Sequence, residues 1–439
     1  MQLFSRRFTV FAALTAVGGG VVLQSALSSA PSGGSAAASA TATVQDDGTV
    51  AVTGLSLPSQ SVELSAECTD LSDPTVRVVC AAEAFLASLS DEERTQVVLD
   101  AAQANATVWS NLPTSLVQRN GVALESLTAE QQGLALAVVK AATGTSGNNG
   151  YSEVTQLLMA DDVLNASGGA QLGGAPASGG TPPNGIPGGG ADGMSDGGPP
   201  GGFSGGGPGM SGGAGGFPGG GSLEYASGLY YLAFLGEPSA TGTWTLQFGG
   251  HHLAINTTYR AGEVASATPE FVGVEPLVWT TENATYAPLE DEQAGMVAML
   301  GGLTGEQRAA AERSETYSDV LVGPGEDGNF PETKAGLAVS ELSAEQQALV
   351  LAAMRPWVRD ADDATAAELL AIYEDELDET YIAFSGDPSL TNNADYVRID
   401  GPSVWIELVC QGGIVYSEQI HYHTVWRDHE RDYGAEYNF

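Results

Sequence analysis

Four of this chain's five histidines fall in two tight clusters, Gly250-His251-His252-Leu253 and His421-Tyr422-His423-Thr424. The fifth, His429, trails the second cluster beyond Val425-Trp426-Arg427-Asp428. Imidazole is the commonest metal ligand and titrates nearest neutral pH, so two clusters and nothing else point to the halves of one site. His421 and His423 stand two apart on a strand-like run, which puts both rings on one face. A third ligand from His251 or His252 would complete a catalytic-type site with an open coordination position. The metal ligands read from the sequence are therefore His251, His252, His421 and His423, and the ion is zinc, copper or iron.

The chemistry around them falls to Glu407, Arg427 and Asp428, read as the catalytic set. Glu407 lies amid Trp405, Ile406, Leu408 and Val409. A carboxylate there must be ligated, neutral or paired, so Glu407 is a ligand, a base or the partner of Arg427. Asp428 either pairs with Arg427 or orients an imidazole from behind. Glu270 and Glu275, flanking Phe271-Val272-Gly273-Val274, are further acids able to meet the histidines. Cys410 ends a strand-like run, where a buried thiol is the plain reading and a soft metal ligand the alternative. No Gly-x-Ser-x-Gly elbow, His-Glu-x-x-His helix or Gly-Lys-Ser/Thr phosphate loop occurs.

The elements that must position these residues repeat along the chain. Gly121–Gln132 returns as Gly336–Gln347, Tyr231–Ser239 as Tyr381–Ser389, and Leu89–Arg94 as Leu303–Arg308. Matched order and spacing indicate a duplicated unit. Ser90 with Glu93, Thr128 with Gln131, Thr304 with Gln307 and Ser343 with Gln346 have capping-box spacing and start helices. Runs rich in Val, Ile, Trp and Tyr, cut by Gly and Asn turns, follow as strands. The expected fold class is α+β: internally duplicated, each half helices followed by β-strands, in one pseudo-symmetric domain. Gly250-His251-His252 aligns with Gly401-Pro402-Ser403, so the scaffold itself does not need those histidines.

With 54 acidic against 15 basic residues, a net charge of -39, the chain repels nucleic acid and anionic membrane. Ser5-Arg6-Arg7, an apolar run from Phe8 to Leu23 and Ser28-Ser29-Ala30 form a twin-arginine-like export signal over residues 1–30. Three glycines, Gly18, Gly19 and Gly20, break that run, which speaks against a lasting membrane span. Residues 31–75 read as a flexible Ser/Ala/Thr-rich spacer, 76–300 as a first half with a disordered Gly-rich insertion at 168–222, and 301–439 as a second half. Cys68 and Cys80 are close enough in sequence to pair in an oxidising exterior.

Trp244-x-x-Gln247-Phe248-Gly249-Gly250-His251-His252-Leu253, Thr268-Pro269-x-Phe271-x-Gly273-x-x-Pro276, His421-x-His423-x-x-Trp426-Arg427-Asp428 and Asp432-Tyr433-Gly434 together resemble the DUF3500 family. The likeness spans about residue 80 to the C-terminus. It implies a secreted bacterial protein in which both histidine motifs are family features, and supplies no reaction.

The leading expectation is an exported metalloenzyme, hydrolytic or redox, acting on a small molecule. One alternative is a metal-free extracellular protein that binds a ligand through the histidines and Arg427. The other is a structural surface protein.

Overall fold

The computed structural model describes residues 40–55, 62–169 and 223–439. The export signal expected at 1–30, and the expected Gly-rich insertion apart from its first two residues and Leu223 beyond it, lie outside these residues. Where the described chain breaks off and resumes, the two ends touch: a Cβ on Gly169 would sit 2.8 Å from the Leu223 carbonyl oxygen.

Inside the spacer expected at 31–75 the described residues are structured, which corrects that expectation. Strands β1 (Thr41–Val44) and β2 (Val50–Thr53) form an antiparallel hairpin turning at Gly48, whose φ is 86°. Alternating Thr and Val suit a pleated strand, and an Asp-Gly turn suits a hairpin. β2 also pairs in parallel with Trp279–Thr280, burying Trp279 completely. Helix α1 (Ala66–Thr69) is tied to α2 (Pro74–Ser88) by a Cys68–Cys80 disulfide.

Beyond α2 come α3 (Asp91–Val97), β3 (Val98–Leu99), α4 (Gln103–Ala106), β4 (Val122–Ala123), α5 (Ala129–Ala142) and α6 (Tyr151–Ala166). Strands β5 (Tyr231–Leu235), β6 (Thr243–Gly249), β7 (Leu253–Arg260), β8 (Glu263–Ser266) and β9 (Glu270–Val274) follow, then β10 (Trp279–Thr280) and β11 (Thr285–Tyr286). Helices resume with α7 (Glu290–Gly301) and α8 (Gly305–Ala311), so the second helical series starts ahead of residue 301. The chain ends through β12 (Leu337–Ala338), α9 (Ala344–Val358), α10 (Asp363–Asp375), β13 (Tyr381–Ser385), β14 (Tyr396–Asp400), β15 (Val404–Gly412) and β16 (Ile420–Asp428). All four capping boxes form, at Ser90, Thr128, Thr304 and Ser343. The class is α+β.

One large sheet runs in the order β12-β13-β14-β15-β16-β9-β7-β6-β5-β3. Its centre is the antiparallel pair β16 and β9, with His423 opposite Gly273 and Trp426 opposite Glu270. Alternation sorts β16 into two faces. Tyr422, Thr424 and Trp426 meet the helical layer, where the Trp357 indole of α9 donates to Thr424 Oγ1 at 2.7 Å. His421, His423, Val425 and Arg427 point the other way. There a second core of Trp109, Phe271, Val320, Val322, Trp405 and Val425 packs the sheet against segments 107–120 and 313–335.

Two tight approaches fix the sheet's outer strands. Gly121 (φ 87°) and Gly336 (φ 108°) precede β4 and β12 in the left-handed region. A Cβ would lie 2.0 Å from the Leu232 oxygen at the first and 2.2 Å from the Ile382 oxygen at the second. Gly133, inside α5, has nothing within 4 Å. Gly121→Ala and Gly336→Ala should each cost about 3 kcal/mol in chemical denaturation, from strain plus clash. Gly133→Ala should instead add about 0.5–1 kcal/mol, the helix-propensity difference.

Candidate metal centre

The Gly249-Gly250 turn between β6 and β7 is small because its surroundings leave no room. A Cβ on Gly250 would meet the Tyr230 ring at 2.9 Å, and one on Gly249 the Leu253 oxygen at 2.4 Å. Buried Arg119 holds the turn, donating from Nη2 to the carbonyls of Gly250 (2.7 Å), Ser110 (2.7 Å) and Leu112 (2.6 Å). His252 then takes a left-handed φ of 60°. Its carbonyl accepts from the Gly273 amide at 2.7 Å, and its amide donates to the Asn111 oxygen at 3.3 Å. These bonds seat the His252 ring over β9, beside His423 of β16.

Gly273 makes that seat possible. A Cβ there would press on His423 Cδ2 at 3.0 Å and on His252 Cδ2 at 3.1 Å. A glycine inside a strand marks such a close approach. Into the space the rings turn their Nε2 atoms: His423 lies 3.2 Å from His252 and 3.2 Å from His421. All three side chains are buried. An ion bound by three imidazoles at about 2.0 Å in tetrahedral geometry separates its nitrogens by about 3.3 Å. The spacing of the three donors fits a single small cation.

Electrostatics keep the donors in the right form. Burial first, then the neighbouring imidazoles, push His252 far below the ordinary histidine pKa and His421 down to about 3. Both therefore offer lone pairs throughout the neutral range, as a metal requires. His423 Nδ1 donates to Asp319 Oδ1 at 3.0 Å, which turns its Nε2 toward the other two rings; the Asn111 amide lies 3.4 Å from the same Nδ1. Burial works against the charge on Asp319, but His423 and the Val320 amide hold its carboxyl below the usual range. Its side chain is still 45% exposed, while the three imidazoles are buried.

His251 stands apart from the three. Its Nδ1 lies 2.7 Å from Asp161 Oδ1 of α6, and its ring stacks on His252 at a centroid distance of 3.6 Å. It buttresses the His252 ring. His429 is elsewhere, 3.2 Å from Asp400 and against Phe330.

The catalytic set read from the sequence is placed differently. Glu407, fully buried, accepts from Tyr396 Oη (2.6 Å), Trp405 Nε1 (2.8 Å) and the amides of Leu321 (2.8 Å) and Val322 (3.0 Å). Burial raises its pKa and these donors oppose the rise. With four donors on two oxygens, it is a clamp on the loop that carries Asp319. Arg427 pairs with Asp327 and, through Nε at 2.8 Å, with Asp432, not with Glu407 or Asp428. The register explains this, since Arg427 lies opposite Trp405 and Glu407 opposite Val425. Asp428 turns to the helical side, taking Arg431 at 3.0 Å and the Glu430 and Arg431 amides. The imidazole-orienting role expected of it belongs to Asp161 and Asp319. Glu275 accepts the Val415 and Tyr416 amides, and Glu270 faces the helices. Cys410 is opposite Tyr422, on the face away from the histidines, which removes it as a ligand; burial pushes its thiol pKa up.

Sequence reasoning missed Asp161, Asp319 and Asn111. No spacing ties them to the histidines, and only Gly273, as a strand-interior glycine, carried a readable signal.

No curated protein and no solved structure matches the chain. A family model described as a protein of unknown function, DUF3500, matches residues 72–435. The chain belongs to the DUF3500 family.

Proposed function

We propose that this is an exported metalloprotein whose mononuclear centre is held by His252, His421 and His423, with a position left open for water or a small-molecule substrate. One observation carries the reading: three buried imidazoles from segments far apart in sequence turn Nε2 atoms toward one another with ligand-like spacing. The donor set suits zinc, copper or iron. A bound divalent ion would supply a water ionised near neutral pH, or a redox couple. The chain's own part is to hold His423 through Asp319, to back His252 with His251 and Asp161, and to shut the helical side with the sheet. The metal-free alternative loses its cation, because Arg427 is wholly buried and committed to two carboxylates.

Export is supported by the twin-arginine-like start and by the Cys68–Cys80 disulfide, which belongs to an oxidising compartment. Among the described residues, no helix is long and apolar enough to cross a membrane. Duplication is supported by matched local geometry. Gly121 and Gly336 meet equivalent carbonyls, and Val98 pairs in parallel with Phe234 as Glu312 does with Phe384. In this reading one half acquired the Gly-Gly-His-His turn and the other the His-x-His strand.

Elemental analysis of protein exported by its own host should find about one transition-metal equivalent per chain. The His421→Ala/His423→Ala double variant should lose it with an unchanged far-ultraviolet circular dichroism spectrum. Metal-free wild type prepared without chelator would sink the proposal. Asp319→Ala should keep the ion but weaken its affinity about 10–100-fold in a competition titration, because His423 loses its orienting acceptor.

A further inference from the structure

Across the sheet from the histidines, four carboxyl groups converge on the helical side. Glu153 is in the first turn of α6, Glu270 on β9, Glu292 in α7, and Asp360 just past α9. Each is at most 6% exposed. Glu153, Glu292 and Asp360 each turn one oxygen to within 4.8 Å of the others. Among the described residues no lysine or arginine forms an ion pair with any of the four.

Four buried acids without a cation contradict ordinary solvation, since each isolated charge costs several kcal/mol. Two of them have some partners: the Gly150 amide donates to Asp360 at 2.6 Å, and the Asn149 amide lies 3.4 Å from Glu292. Glu153 differs. At 2% exposure it turns an oxygen into the group and neither of its carboxylate oxygens has a hydrogen-bond donor, while Oε2 of Glu292 is equally bare. Asp360 is near enough to share a proton with Glu153. Such orphaned oxygens, Glu153 being packed among Glu270, Asp360, Val154, Leu157 and Val272 with no room for bulk water, call for a positive charge.

We propose that Glu153, Glu292 and Asp360, with Glu270 beside them, form a second metal site that takes a hard divalent cation, calcium above all. Oxygen donors without nitrogen or sulfur select such ions, and bonds of about 2.4 Å span separations of this size. The ion would staple α6, α7, β9 and the end of α9. It would do so independently of the histidine centre, which occupies the opposite face.

Without the ion the acids must hold protons. Burial raises Glu153, Glu270 and Glu292 well above the carboxylate range, with the nearby Asp360 charge adding to all three, and it raises Asp360 to about 7 against the Gly150 amide and the Glu153 carboxyl, which lower it. A raised pKa contributes stability that is complete below the unfolded value and lost as pH climbs through the folded one. The ion-free protein therefore weakens as pH rises past 7, and calcium takes over from the protons.

The test is the thermal midpoint of the full chain in EDTA and in excess calcium chloride, at pH 5 and pH 8. Calcium should raise the midpoint at pH 8 by about 5 °C once it exceeds its dissociation constant a hundredfold, and less at pH 5. Glu153→Gln and Glu292→Gln keep the shape and remove a charge. Each should fold, melt higher than wild type in EDTA at pH 8, and lose the calcium response. The His421→Ala/His423→Ala variant should retain that response. A wild-type midpoint indifferent to calcium, or a response that survives both glutamine substitutions, would show the acids to be proton-sharing pairs and overturn the proposal.

Discussion

The antiparallel register of β16 against β9 is the constraint on which the other arrangements rest. It sets His423 opposite Gly273 and so puts both histidines of β16 on the face that receives His252. A one-residue slip would exchange the faces, sending the imidazoles into the helical layer and Trp426 out of it. Many fully buried side chains oppose such a slip, among them Trp405, Trp426 and Tyr396. The position of the histidines is therefore a consequence of the core and not of the histidines themselves.

Over that face lies a loop held by buried charge. Glu407 takes two amides of segment 321–322, and Arg427 reaches Asp327 and the Val322 carbonyl at 3.3 Å. Buried ions of this kind contribute little net stability against apolar replacements, but removing one partner is costly. Their effect is positional, because the fastened loop delivers Asp319 to His423. Glu407 and Arg427, which looked catalytic, are the fastenings of a site they do not touch.

Much of this was legible in the chain. Clustered histidines, the two-residue spacing on a strand, the capping boxes and the α+β order depend on local periodicity, and local periodicity survives folding. The choice between His251 and His252 did not depend on it. It follows from one left-handed residue, His252, and from Asp161 on a distant helix, which holds the His251 ring. Glu407 was misassigned for a related reason: apolar neighbours announce that a carboxylate is buried but do not say which amides it receives. The spacer was misjudged because small residues dominate its composition, while the alternating Thr and Val of β1 and β2 occupy only a few positions.

Gly169 and Leu223 are touching neighbours. The polypeptide thus departs from the end of α6 and rejoins at nearly the same spot on the way to β5. Residues gained or shed between these two gateposts need not displace the helix, the sheet or either candidate centre. Length at this point is free to drift between relatives while the architecture around it stays fixed.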